Sequence, residues 1–248
     1  MMLKKLIIYL MAPVFSLSMI FNQSAYAEWY LGGAVGVAIP HTVDDLKSTG
    51  DGFSITSSGF DADTAFVGGI KGGYFFESIP YLGVEVNWSM SAPDTDKEAV
   101  ALTISGTATG LGAGQVSGDF LFSADVDSYS SYGFLAMLRA TDEDAKAKYF
   151  GIQPFLGLGF MVSTIDVNSA TLFNTAGTQL STTANSDSST DVGFILSTGL
   201  NYIVSDNIKV YSEYKFGTVE HNLTMDAGVD SKFTSESSSV VFGASYSF

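Results

Sequence analysis

Val240, Phe242, Ala244, Tyr246 and Phe248 place an apolar side chain at every second position of the terminal stretch SSSVVFGASYSF. A two-residue period belongs to a β-strand whose two faces meet different surroundings. The same period recurs in seven earlier segments. EWYLGGAVGVAI sets Trp29, Leu31, Val35, Val37 and Ile39 on one face. In TAFVGGIKGGYFF, Phe66, Ile70 and Tyr74 oppose the face that holds Lys71. YLGVEVNWSM is the clearest, with Leu82, Val84, Val86, Trp88 and Met90 alternating with Glu85, Asn87 and small residues. SSYGFLAMLR offers Tyr132, Phe134, Ala136 and Leu138, and FGIQPFLGLGFMV offers Ile152, Leu156, Leu158, Phe160 and Val162. DVGFILSTGLNYIV sets Val192, Phe194, Leu196, Leu200 and Tyr202 against Asp191, Ser197 and Asn201. NIKVYSEYKF puts Ile208, Val210, Tyr214 and Phe216 opposite Lys209, Glu213 and Lys215.

Soluble sandwiches also contain two-faced strands, but their water-facing side is rich in charge. Here the second face is mostly Gly, Ser and Asn with a few charges, which suits a confined interior. Strand glycines also relieve crowding where backbones approach closely. Short links follow the second, fourth and sixth segments, around 78–80, at RATDEDAKAK and at VSDN. Long ones, at about 41–62, 91–125, 163–190 and 217–236, follow the others. Short turns on one side and long loops on the other mark an outer-membrane barrel. The spacing therefore predicts an all-β fold, an eight-stranded antiparallel up-and-down transmembrane β-barrel with long extracellular loops. VALTISGTATG and GDFLFSADV also alternate, either as external hairpins or as two more strands of a ten-stranded ring.

Composition agrees with this picture. Charged residues are 15% of the 248, against about 25% in soluble domains. Mean hydropathy is +0.24, yet no run past residue 21 approaches the ~20 apolar residues of a membrane helix. Residues 1–27 form a separate object: Lys4 and Lys5, then an apolar stretch, then Ala25-Tyr26-Ala27. That order describes a cleaved export signal, leaving a barrel domain at 28–248 whose first residue is Glu28. With no cysteine, the exported chain has no disulfide framework. Without its leader the chain carries 9 basic and 26 acidic residues, a formal charge of −17, which disfavours nucleic acid.

EWYLGGAVGVA, YLGVEVNW, IQPFLGLGF, LNYIVSDNIKVYSEYKF and the terminal FGASYSF occur in an order that resembles the outer-membrane β-barrel family of the OmpA transmembrane domain and the opacity-type surface proteins. The resemblance implies the outer membrane of a Gram-negative bacterium, with its lipids and lipopolysaccharide as surroundings. The chain departs from full-length OmpA in stopping at its last strand, without the periplasmic peptidoglycan-binding domain, so a cell-wall tethering role is not expected. It also makes Glu85 the counterpart of the family's interior glutamate. Under it, Phe242, Tyr246 and Phe248 look like the signal read by the barrel assembly machinery; the physical alternative is an aromatic anchor at the interface.

The candidate chemistry lies inside. Lys71 and Glu85 point inward on neighbouring strands and, for a turn centred on Ser78, stand directly opposite each other. With Glu213 and Lys215 they form either a buried charge network that plugs the lumen or a gate on a narrow ion path. Leu82, Val84, Val86 and Trp88 face lipid. The two histidines, His41 and His221, fall near the bases of loops and lack the Ser/His/Glu surroundings a lipid-modifying enzyme would need. Asp44/Asp45 and Asp94/Asp96 belong to polar loops, and the acids around Asp187 and Asp191 are too irregular for a calcium loop. No catalytic, metal or cofactor site is expected. The expected role is structural and surface-interacting, with loops that meet an extracellular or host ligand; the alternative is a small diffusion pore.

Overall fold

The computed structural model describes residues 28–50, 53–57, 60–61, 63–92, 95–106, 114–183, 187–225 and 229–248. The expected leader, 1–27, lies outside them. The elements are β1 (Glu28–Gly50), β2 (Phe53–Ser57), β3 (Phe60–Asp61), β4 (Ala65–Phe76), β5 (Ile79–Ser91), β6 (Thr95–Gly106) and β7 (Gly114–Arg139). They continue as α1 (Asp142–Lys148), β8 (Ile152–Phe173), β9 (Gln179–Thr183), β10 (Asp187–Ile203), β11 (Ile208–Met225) and β12 (Val229–Ser247).

Eight of the strands form a ring in the order β1, β4, β5, β7, β8, β10, β11, β12, each antiparallel to both neighbours. The last strand returns to the first, from Tyr30 opposite Ser247 to Thr49 opposite Asp230, so the sheet has no edge in the spanning region. Lipid demands this, because an unpaired backbone group there finds no water. The fold is the expected eight-stranded barrel. The two alternating stretches that would have made it ten-stranded become β6 and the outer half of β7, a hairpin beyond the belt.

The apolar faces turn outward. Leu31, Phe66, Val84, Val86, Leu158, Val192 and Phe242 are exposed, and Leu82 and Trp88 partly so. Aromatics collect toward the short-turn end, where Trp29 packs on Tyr74 at 4.8 Å and Tyr246 meets Phe248 edge-on at 5.1 Å. The inward faces are less uniformly small than the composition suggests. Phe75, Met137, Phe155, Met161 and Ile195 fill the lumen alongside serines. Glycines on adjacent strands make room for them: a Cβ at Gly199 would stand 2.6 Å from the Phe155 ring, and one at Gly243 2.6 Å from the Tyr211 ring. Large and small residues thus interleave across the ladder to fill a narrow barrel.

Two local features depart from the expectation. The link after β7 contains a helix. Thr141 caps it by accepting from the Asp144 amide at 3.2 Å, three acids occupy its first turn, and Lys146 and Lys148 occupy its last. The β4–β5 turn sits at Glu77–Ser78, but the ladder shifts between Phe75 and Phe76. Pro80, which has no N–H to give, lies in the resulting bulge.

On the long-loop side β1, β7 and β8 run on past the belt. There β2 bridges β1 to β6, and β6 pairs with β7. This outer wall has its own apolar cluster of Val100, Leu102, Ile104 and Phe120. Among the described residues the β10–β11 ladder stops at Gly193 opposite Val219. Beyond that point side chains bridge the two strands: Asp191 accepts from the Asn222 amide at 3.3 Å, and Ser189 donates to the Asn222 carbonyl at 3.1 Å.

Candidate functional site in the barrel lumen

The inward faces bring Lys71, Glu85, Glu213 and Lys215 together at the middle of the lumen. Lys71 Nζ donates to Glu213 Oε2 at 2.8 Å and lies 3.5 Å from Glu85 Oε2. Lys215 Nζ is 3.7 Å from Glu213 Oε1. Each carboxylate is also held by neutral donors. Tyr30 OH donates to Glu85 at 2.6 Å, Asn87 Nδ2 to Glu85 at 3.1 Å, and Ser197 Oγ to Glu213 at 2.6 Å. The Lys71 ammonium also sits over the Tyr211 ring at 3.9 Å, a cation–π contact. Two ammonium groups and two carboxylates balance, which makes so buried a set of charges tenable.

The pairing differs from the one expected. The β4–β5 bulge moves the register, so Lys71 stands opposite Asn87 and Glu85 opposite Gly73. Lys71 therefore reaches Glu85 diagonally, and its shortest bond crosses the lumen to Glu213.

A second network closes the short-turn mouth. Lys209 Nζ donates to Glu28 Oε1 at 2.7 Å and to Asp142 Oδ1 at 3.0 Å. Arg139 pairs with Glu28 and lies 3.6 Å over the Phe75 ring. Gln153, fully buried, donates to Asp142 at 2.6 Å and accepts from Asn201 at 3.0 Å. Asp142 belongs to α1, so the helix docks its first turn into the mouth. The period-2 pattern put Lys209 inside, but nothing in it singled out Glu28, Arg139 or Asp142 as its partners. The capping sequence TDED was the available signal for the helix. The lumen holds small cavities, of about 20 Å³ below the central charges, 20 Å³ beside them and 40 Å³ above them, room for a few waters.

His221 is not the rim residue expected. It continues the inward face of β11 after Val219, has no exposed surface, and packs 5.3 Å from Phe233. Its Nδ1 lies 3.2 Å from Asp191 Oδ2. The apolar belt ends near Val192 and Phe216, so this pair belongs to the outer wall. Burial lowers the His221 pKa and outweighs the opposing pull of Asp191. The side chain of His41 lies outside the described residues.

Phe248 is 73% exposed, and its amide donates to Trp29 O at 2.9 Å, the last rung of the closing seam. Phe242 and Tyr246 are exposed on the same outer face.

The model of the outer membrane protein β-barrel domain matches residues 8–248. No curated protein sequence matches the chain. Among solved structures it is similar to Neisserial surface protein A, at 14% identity over 90% of this chain and 99% of that one, with TM-score 0.48. It is similar to Ail, the attachment invasion locus protein of Yersinia pestis, at 14% identity over 89% and 99%, with TM-score 0.41. It is also similar to the outer membrane protease OmpT from Escherichia coli, at 9% identity over 92% and 99%, with TM-score 0.47.

Two outcomes follow from the lumen geometry. Lys71→Met should destabilise the refolded barrel by about 3–5 kcal/mol, because it strands the buried Glu85 carboxylate and leaves Glu213 only the more distant Lys215. Adding Glu213→Gln should recover part of that loss, so denaturant titration of the double-mutant cycle should be clearly non-additive. At the outer wall, His221 binds its proton more weakly folded than unfolded. Its contribution is thus complete above the unfolded pKa of about 6.5 and is lost as pH falls toward the lowered folded value. Amide exchange in β11 beyond Val219, corrected for intrinsic rates, should therefore quicken from pH 7.5 to 5.5, and His221→Gln should abolish the change.

Proposed function

For a chain that belongs to the outer membrane protein β-barrel domain family, we propose a structural and surface-interaction role: a sealed barrel that presents an ordered outer wall to the cell exterior. One observation carries this reading. The lumen is closed twice, by the central charges and by the mouth network, whereas β1, β7 and β8 run 23, 26 and 22 residues and build a wall with its own core beyond the belt. Structure is invested outside the membrane, and loops on a rigid scaffold are where recognition resides.

Charge narrows the class of partner. The segments 40–64, 91–127, 163–191 and 219–239, whose described residues lie on the outward side, hold in sequence eighteen acidic residues and three lysines, a formal charge of −15. The rest of residues 28–248 carries −2. An anionic polymer such as a sulfated polysaccharide meets strong repulsion there, whereas a basic protein surface is attracted. The wall is not an enzyme site in this reading. The surroundings are outer-membrane lipids and lipopolysaccharide, and residues 1–27 are removed on export to leave Glu28 first.

The second reading, a small pore, rests on the unequal grip of Lys71, 2.8 Å from one carboxylate and 3.5 Å from the other, with water-sized cavities on both sides. Planar bilayers and binding separate the two. Under the surface reading the refolded protein is electrically silent and binds a lysine-rich surface in a salt-sensitive manner, with no retention on heparin. Steady single-channel conductance without such binding would favour the pore.

Phe248 is proposed to be read by the barrel assembly machinery as well as anchoring the seam. Deleting it should cost about 1–3 kcal/mol of burial at most in a detergent-refolded barrel. In cells the loss of surface-exposed protein should be far larger, and intact mass of the membrane form should start at Glu28. Equal effects in detergent and in cells would reduce Phe248 to an anchor.

A further inference from the structure

On the outer side of the central charges the lumen holds a hydroxyl-lined chamber with one cation at its floor. Lys215 lies two residues further out along β11 than Glu213, so its ammonium caps the quartet on that side. Its single polar contact among the described residues is Glu213 Oε1 at 3.7 Å, beyond hydrogen-bonding reach. Glu213 is already committed, to Lys71 at 2.8 Å and to Ser197 at 2.6 Å. Lys215 thus carries a charge and three N–H donors with no acceptor in hand. Its side chain is 15% exposed, against 6% for Lys71. It borders both the 40 Å³ cavity above the quartet and the 20 Å³ one beside it.

Hydroxyls reach the larger cavity from opposite walls. Ser89 and Ser131 face each other across the β5–β7 ladder with their Oγ atoms 2.9 Å apart, and Ser91 stands opposite Tyr129 two residues further out. On the far side of the ring Lys215 is opposite Ser239, with Ser237 beyond it. All of these residues line the cavity, and no carboxylate does. A hydroxyl can turn its proton toward an anion, whereas a carboxylate can only repel one. The quartet is neutral as a whole, but its positive end faces the chamber, in a bore where charge is poorly screened. We propose that this chamber binds a small inorganic monovalent anion of chloride chemistry, held by the Lys215 ammonium and by serine hydroxyls of both walls. At about 10–15 Å³ for each water-sized occupant, 40 Å³ admits a monatomic anion with a water beside it and is too tight for gluconate. A cation meets repulsion from the same ammonium.

Equilibrium unfolding in urea tests this, because the anion enters as the barrel refolds and needs no path through the finished wall. With sodium gluconate replaced by sodium chloride at about 0.2 M and equal ionic strength, the folded-to-unfolded ratio should rise roughly five- to ten-fold. Sodium bromide should act alike. Lys215→Met, its folding checked by heat-modifiable gel mobility, should lose the chloride effect. Ser89→Ala with Ser131→Ala leaves every charge in place and should lose most of it. If Lys215→Met does not fold, the serine variant decides alone. Equal stability of the unaltered protein in chloride and gluconate would overturn the proposal. So would a chloride effect that survives in either variant, since it would then belong to the outer surface or to salt in general.

Discussion

Every backbone amide and carbonyl in the spanning region must find its partner within the protein, because hydrocarbon supplies none. The pairing of β12 with β1 meets that requirement, and the rest of the molecule follows from it. Closing eight strands fixes a narrow bore, and a narrow bore must be filled by its own inward side chains. That is why glycine faces a bulky ring across the ladder at Gly199 and Phe155, and why the few charges inside are neutralised by each other. The last rung is made by Phe248, so the outermost aromatic of the chain and the closure of the ring are the same event.

Filling also divides the lumen into levels with different chemistry. The centre is a balanced quartet held by tyrosine and serine hydroxyls. The periplasmic mouth is a denser network of Glu28, Arg139, Lys209 and Asp142, and the outer level is aromatic, around His221. The central and mouth networks lie in series along the bore.

Much of this was legible in the chain, for a physical reason. Strand faces repeat every two residues, and lipid and lumen impose such different demands that Val84, Val86 and Trp88 declare one side and Glu85 and Asn87 the other. Strand number and the alternation of short and long links came from the same signal. Contacts across the bore carry no period. Lys71 and Glu213 are 142 positions apart, and only the closed ring brings them to 2.8 Å. The register of β4 and β5 hinged on a bulge near Pro80 that symmetric counting about Ser78 could not include. His221 followed the inward parity of β11 further than its loop-like surroundings suggested. The helix α1 was hidden because seven residues are too few to show a 3.6-residue period, although Thr141 and its acids spelled out its start.

The gap where the β10–β11 ladder ends at Gly193 and Val219 gives the two halves of the molecule different mechanical character. Within the membrane the cross-section is a closed tube, in which every strand is braced from both sides and twisting one means twisting all. Above that point the described wall is slit along one line and held across the slit by Asp191, Ser189 and the backbone of Asn222. An open section resists torsion far less than a closed one of the same wall. The outer wall can therefore wring and breathe on a base that does neither, and a load applied at the cell surface is absorbed there before it reaches the ring.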